Sequence, residues 1–80
     1  MSDIQYLTFI LQGIVNDPNS VFVDRKVDEM GVLLTVRVAK KDMGRVIGKS
    51  GTTINSIRNI VRAFGYSIDS VLNVRVEEPA

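Results

Sequence analysis

Lys49 and Ser50 stand between Gly48 and Gly51, at the end of the run Gly44-Arg45-Val46-Ile47-Gly48-Lys49-Ser50-Gly51. A cation and a hydroxyl enclosed by two residues without side chains make a loop that phosphate oxygens can approach closely. Two kinds of phosphate-handling loop are built this way. One cradles the phosphates of a nucleoside triphosphate. The other grips the sugar–phosphate backbone of a single-stranded nucleic acid.

The surrounding residues discriminate between them. A nucleoside triphosphate loop needs four residues between its first glycine and the Gly-Lys-Ser triplet, and it joins a strand to a helix. Only three residues separate Gly44 from Gly48, and the position before Gly44 is Met43. The loop follows a short helical stretch, and too little chain remains for an acidic strand to hold magnesium. An NTPase is therefore not expected.

Other chemistries lack their residues. There is no histidine and no cysteine among the 80 residues, which removes the commonest general base, the thiolate nucleophile and the usual soft metal ligands. The acids fall mostly in turns and near the ends, with no pair held on a rigid face. The reading is of a non-enzyme without metal or cofactor. Charge, by contrast, is organised. Residues 37–62 carry Arg37, Lys40, Lys41, Arg45, Lys49, Arg58 and Arg62 against Asp42 alone, a local charge of +6. The remainder carries Arg25, Lys26 and Arg75 against eight acids, or −5. A polyanion is drawn to the middle of this chain and repelled by its ends. An uneven solvated surface explains the charge alone equally well.

The elements that must position the loop follow from periodicity. Ser2 with Gln5 is a capping-box signature. Ile4, Leu7, Leu11, Ile14 and Val15 then recur at helical spacing, widened by Tyr6, Phe9 and Ile10, which predicts a helix to about Asn16, ended by Asp17-Pro18-Asn19-Ser20. Residues 21–29 and 32–39 alternate with period two around Asp28-Glu29-Met30-Gly31, predicting an antiparallel hairpin. A short helix fits 42–47, capped by Asp42. A longer one fits 52–64, with Ile54, Ile57, Val61 and Phe64 inward, Asn55, Arg58, Asn59 and Arg62 outward, and Gly65 ending it in a positive-φ conformation. Residues 71–76 alternate as a third strand, and 77–80 read as a frayed tail. The order helix, strand, strand, helix, helix, strand predicts one two-layer α+β domain over 1–80, a three-stranded sheet packed on three helices. No apolar run approaches a membrane span of about 20 residues. The N-terminus does not read as a signal peptide, since no Lys or Arg precedes Arg25. A cytoplasmic setting is expected.

With the elements in order, Val46-Ile47-Gly48-Lys49-Ser50-Gly51-Thr52-Thr53-Ile54 resembles the V-I-G-x-x-G-x-x-I core of KH domains. The element order matches the type II, prokaryotic form of that fold, and the resemblance spans essentially the whole chain. It is closest in character to the single-KH-domain RNA-binding proteins of bacteria, the KhpA type. The resemblance implies a cleft for about four nucleotides of single strand beside the loop. It implies RNA contacts from Ile47, Gly48, Lys49, Ser50, Gly51 and Ile54. By position, Arg45 faces the loop from the short helix and Lys41 is a peripheral contact at the strand–helix corner, while Arg58, four residues before Arg62 on one helix face, serves RNA contact, partner contact or solubility equally well. Ile47, Ile54 and an apolar residue of the second strand would floor the cleft, and an edge strand's amides would meet base edges. It also implies post-transcriptional regulation or RNA chaperoning, a homodimer, and pairing with a larger jag-type KH protein.

Two other readings compete. The chain is a dimerisation or adaptor subunit for that larger protein, or two helices joined by a glycine turn form a helix-turn-helix DNA binder. The short first helix and the inward, isoleucine-rich second one weigh against the latter.

Overall fold

The computed structural model describes residues 1–78. Its elements are α1 (Asp3–Gln12), β1 (Phe22–Asp28), β2 (Gly31–Arg37), α2 (Met43–Ile47), α3 (Thr52–Ser67) and β3 (Leu72–Val76). Single 3₁₀ turns at Pro18–Ser20, Lys40–Asp42 and Lys49–Gly51 join them. This is the expected α-β-β-α-α-β order of an α+β type II KH fold.

The capping box forms as expected: the Gln5 N–H donates to Ser2 Oγ at 3.1 Å and the Ser2 N–H to Gln5 Oε1 at 2.9 Å. The helix it starts is shorter than its apolar stripe suggests. α1 stops at Gln12, and the Gly13 N–H bonds back to Phe9 and Ile10 carbonyls. Ile14 and Val15 then turn off the helix, and Val15 still reaches the core, 9% exposed. An exposed glycine is a poor helix residue, and the backbone three and four residues further on is claimed by a side chain from elsewhere.

β1 and β2 pair antiparallel from Phe22↔Arg37 to Asp28↔Gly31. The Asp28 carboxylate accepts from the Met30 N–H at 2.8 Å and tightens the turn. β3 pairs parallel with β2, Val32↔Leu72 through Val36↔Val76, so the sheet is mixed and β2 is its central strand. Alternation divides the sheet. Val32, Leu34 and Val36 of β2 and Leu72 and Val74 of β3 face the helices and are buried, whereas Thr35, Arg37, Asn73 and Arg75 face away.

The helices cover the inner face. Leu7 and Leu11 of α1, Val46 of α2, and Ile54, Ile57 and Val61 of α3 join those strand residues in one core. Each such aliphatic side chain stabilises the fold by about 1.5–3 kcal/mol. Tyr6 stacks on Phe64 with ring centroids 4.3 Å apart, fixing α1 against α3. Arg25 of β1 reaches Asp3 at 2.9 Å and ties the edge strand to the first turn of α1.

Two expected terminations differ. α3 continues through Gly65 to Ser67. Gly65 is buried and helical, and its lack of a side chain serves packing, since a Cβ there would lie 2.5 Å from the Ser70 carbonyl and 2.9 Å from Leu72 Cγ. The positive φ falls later, at Asp69. At the other end, the Glu77 N–H still bonds the Val36 carbonyl at 2.9 Å, and residues 79–80 of the expected frayed tail lie outside the described residues.

Candidate nucleic-acid interface

The loop is built by its glycines and by the helix it feeds. Gly48 has φ 77° and ψ 173°, a region open to glycine alone. A Cβ there would also fall 2.7 Å from both Cβ and backbone N of Thr53. Gly48 is thus pressed against the first turn of α3, and the space it leaves is filled by the side chain and backbone nitrogen of Thr53. This revises the expectation that both glycines are bare for a ligand's approach. Gly51 (φ 77°, ψ 12°) is left-handed, and a Cβ there would make only ordinary contacts at 3.7 Å and beyond. Of the two, Gly51 is the one open to an approaching backbone.

Between them the chain makes one tight turn. The Gly51 N–H donates to the Gly48 carbonyl at 3.2 Å, and the Thr52 hydroxyl donates to the Lys49 carbonyl. Ser50 is held left-handed at φ 56°, ψ 30°. Lys49 and Ser50 are both exposed. The N-cap of α3 is Gly51, which supplies no side-chain acceptor to the helix's first turn. The first N–H groups of a helix have no intrahelical partners, and α3 directs their partial positive charge at the loop. The arrangement offers a flexible cation, a hydroxyl and backbone donors to an anion. It holds a phosphate without reading a base.

The other expected contacts are distributed as follows. Lys41 is exposed in the 3₁₀ turn before α2. Arg45 is exposed on α2; with the Asn16 amide turned so that its oxygen meets donors, Arg45 Nε and Nη2 donate to that oxygen at 3.2 and 3.3 Å, which engages the guanidinium on the turn after α1. Ile47 is half-buried against the core, and Ile54 is 4% exposed within it. Arg58 is half-buried, its Nε donating to the Val74 carbonyl at 3.2 Å and its Nη1 to Asn55 Oδ1 at 3.3 Å. Arg37 bonds Asp24 at 2.9 Å on the open sheet face. The second strand cannot floor a cleft as expected: it is flanked by strands on both edges, and Val32, Leu34 and Val36 are at most 5% exposed.

Asp42 departs most from its expected role. It occupies the position before α2 but caps nothing there. It is fully buried, and its two oxygens accept the backbone N–H groups of Asn16 and Asp17 at 3.0 and 3.1 Å. The turn carrying Lys40 and Lys41 is thereby fastened to the exit of α1. Thr53 and Asn55 are the loop's neighbours that sequence reasoning left out. The signal for Asn55 is its place three residues before Arg58, the spacing of facing side chains on a helix.

A helix-turn-helix reading fits the geometry poorly. α2 has only five residues, and the apolar stripe of α3 is sealed in the core. Among the described residues no three His, Cys, Asp or Glu side chains group as metal ligands, and no helix is long and apolar enough to cross a membrane.

A family model described as the KH domain of KhpA/KhpB matches residues 4–77. A protein of Leifsonia xyli is 46% identical over 57 residues, covering 71% of this chain and 75% of its own. One of Clostridium acetobutylicum is 37% identical over 59 residues, covering 74% and 79%. One of Chlamydia pneumoniae is 33% identical over 72 residues, covering 90% and 87%. Each of the three is named RNA-binding protein KhpA.

Proposed function

The chain belongs to the KhpA/KhpB KH-domain family, and on that premise we propose that it binds single-stranded RNA through the Gly48–Gly51 loop. The observation that carries this reading is the exposed Lys49–Ser50 apex, set at the start of α3 between two positive-φ glycines. RNA phosphate lies against Gly51, paired with Lys49 and Ser50. Lys41, Arg45 and Arg58 line the approach, and Ile47 and Ile54 give the strand an apolar border. The relatives' names support the ligand class.

One loop touches few phosphates, so its affinity is modest, and pairing two such loops raises it through effective concentration. The protein accordingly acts as a homodimer, or beside a larger jag-type KH protein, as a cytoplasmic regulator or chaperone of RNA. The outward side of α3, where Ile60 is 47% exposed, is the surface for pairing.

The deciding experiment replaces Lys49 and Ser50 together by aspartate. Aspartate tolerates the left-handed backbone of position 50, and both positions are exposed, so circular dichroism should be unchanged. Two charge-assisted hydrogen bonds of roughly 1.5 kcal/mol each are lost and repulsion is added, so RNA affinity in a filter-binding titration should fall at least about 100-fold. Undiminished binding by the folded variant rules out the loop.

A further inference from the structure

Asn55 and Arg58 form one polar unit on α3, between the loop and the edge of β3. Arg58 donates through Nη1 to Asn55 Oδ1 at 3.3 Å and through Nε to the Val74 carbonyl at 3.2 Å. The guanidinium is thus fastened between helix and strand. At the two ends of the strand, Val71 bonds β2 through its carbonyl to the Val32 N–H, and Glu77 through its N–H to the Val36 carbonyl. Backbone groups alternate sides along a strand, so those of Val74 face the open edge, and its carbonyl is taken by Arg58.

The fastening has a consequence for Asn55. Its side chain offers one acceptor oxygen and two N–H donors. The oxygen is engaged by Arg58, and the nitrogen is turned toward the loop, 3.7 Å from where a Cβ on Gly51 would stand. An arginine has five N–H donors and no acceptor, and two of those five are used here. On the side that faces the open glycine of the loop, the unit therefore presents N–H donors, its one acceptor oxygen being turned to Arg58.

We propose that Asn55, oriented by Arg58, selects the base next to the gripped phosphate. This deepens the RNA-binding reading above and rests on it. A donor-only surface matches a base with two neighbouring acceptors on one edge. Cytosine offers N3 and O2, and guanine offers N7 and O6. Adenine sets its N6 amino donor beside N7 and beside N1, and uracil places an N–H donor between its two carbonyls. Either would turn a donor toward a donor. The site favours cytosine and guanine over adenine and uracil, and Asn55 is a specificity-determining residue.

The test is fluorescence anisotropy with single-stranded octamers r(C)8, r(A)8 and r(U)8, plus one guanine within a uridine octamer. Wild-type protein should bind r(C)8 about tenfold more tightly than r(A)8, the scale of one well-paired base contact. Asn55→Ala should bring the two within about twofold by weakening r(C)8 alone. Arg58→Lys keeps the charge but loses the fork that fixes the amide, and should also erase the preference. In an NMR titration the Asn55 side-chain amide signals should move with r(C)8 more than with r(A)8. Equal wild-type affinity for r(C)8 and r(A)8, or an equal loss for both in Asn55→Ala, overturns the assignment while the loop reading stands. Failure of the wild type to bind any octamer overturns both.

Discussion

Asp42 Oδ1 accepts a hydrogen bond from the backbone nitrogen of Asn16 at 3.0 Å, across 26 residues of chain. With Oδ2 taking the Asp17 N–H, this one buried carboxylate joins the exit of α1 to the entry of α2. It sets where the Lys40–Lys41 turn and the following loop stand relative to the first helix.

Removing that carboxylate should therefore cost more than a surface acid does. Asp42→Ala leaves two partly buried N–H groups without partners, and hydrogen bonds to charged groups contribute about 1.5–3 kcal/mol each. We expect a loss of roughly 3 kcal/mol in urea unfolding at neutral pH. Asp42→Asn keeps one acceptor and should lose about half as much. If Asp42→Ala changes the unfolding midpoint no more than Asp28→Ala does, the carboxylate is not a fastening.

Gly48 and Gly51 should respond unequally to alanine, although their φ values are the same, 77°. At Gly51 the penalty is that of a left-handed alanine, about 1–2 kcal/mol. At Gly48 the cost of a backbone region that glycine alone adopts adds to a collision with the Thr53 backbone nitrogen, which is part of α3 and cannot rotate away. Gly48→Ala should cost about 3 kcal/mol or more. Thr53→Ala should not rescue it, because the backbone N and Cβ of residue 53 remain. Thermal unfolding of the three variants and the double variant checks this order, and rescue would show that the Thr53 hydroxyl alone fills the space.

How much of this was legible beforehand depends on the range of each interaction. The Ser2–Gln5 capping box, the hairpin around Asp28-Gly31 and the helix–loop–helix at Gly48–Gly51 rest on residues close in sequence, and local chemistry pointed to all three. The six elements and their order followed from periodicity. Asp42 was misread because an aspartate before a helix is normally its cap, and nothing local reveals partners 25 and 26 residues away. Gly65 was misread for the same reason. Glycine near a helix end suggests a left-handed stop, whereas the constraint here is the Ser70 carbonyl and the Leu72 side chain packed against it. The parallel pairing of β2 with β3 put β2 in the centre, and with it fell the second strand's expected share in the cleft.

Gly65 gives a test in which two local effects oppose each other. In an exposed helix, Gly→Ala stabilises by about 1 kcal/mol through propensity. Here the added methyl would meet the Ser70 carbonyl at 2.5 Å and Leu72 Cγ at 2.9 Å. Overpacking costs typically 1–3 kcal/mol and more against backbone, so steric conflict outweighs propensity. Gly65→Ala should lower Tm by at least about 5 °C for a domain of this size. A rise in Tm would show that β3 can move away from α3 at little cost.

Salt dependence separates one gripped loop from a broad basic surface. The +6 charge of residues 37–62 invites the second view. The contacts favour the first, since Arg37 is paired with Asp24, Arg45 with Asn16, and Arg58 with Val74 and Asn55. About three phosphates on a single strand, at roughly 0.7 released counterions each, give a log–log slope near −2 for affinity against salt. Lys49→Ala should make the slope shallower by about 0.7, the loss of one phosphate contact. Lys26→Ala, on the opposite side of the sheet, should leave it unchanged. A wild-type slope steeper than about −4 requires six or so phosphates. That is more than this loop and its neighbours can touch, and it would move the interface onto the basic surface as a whole.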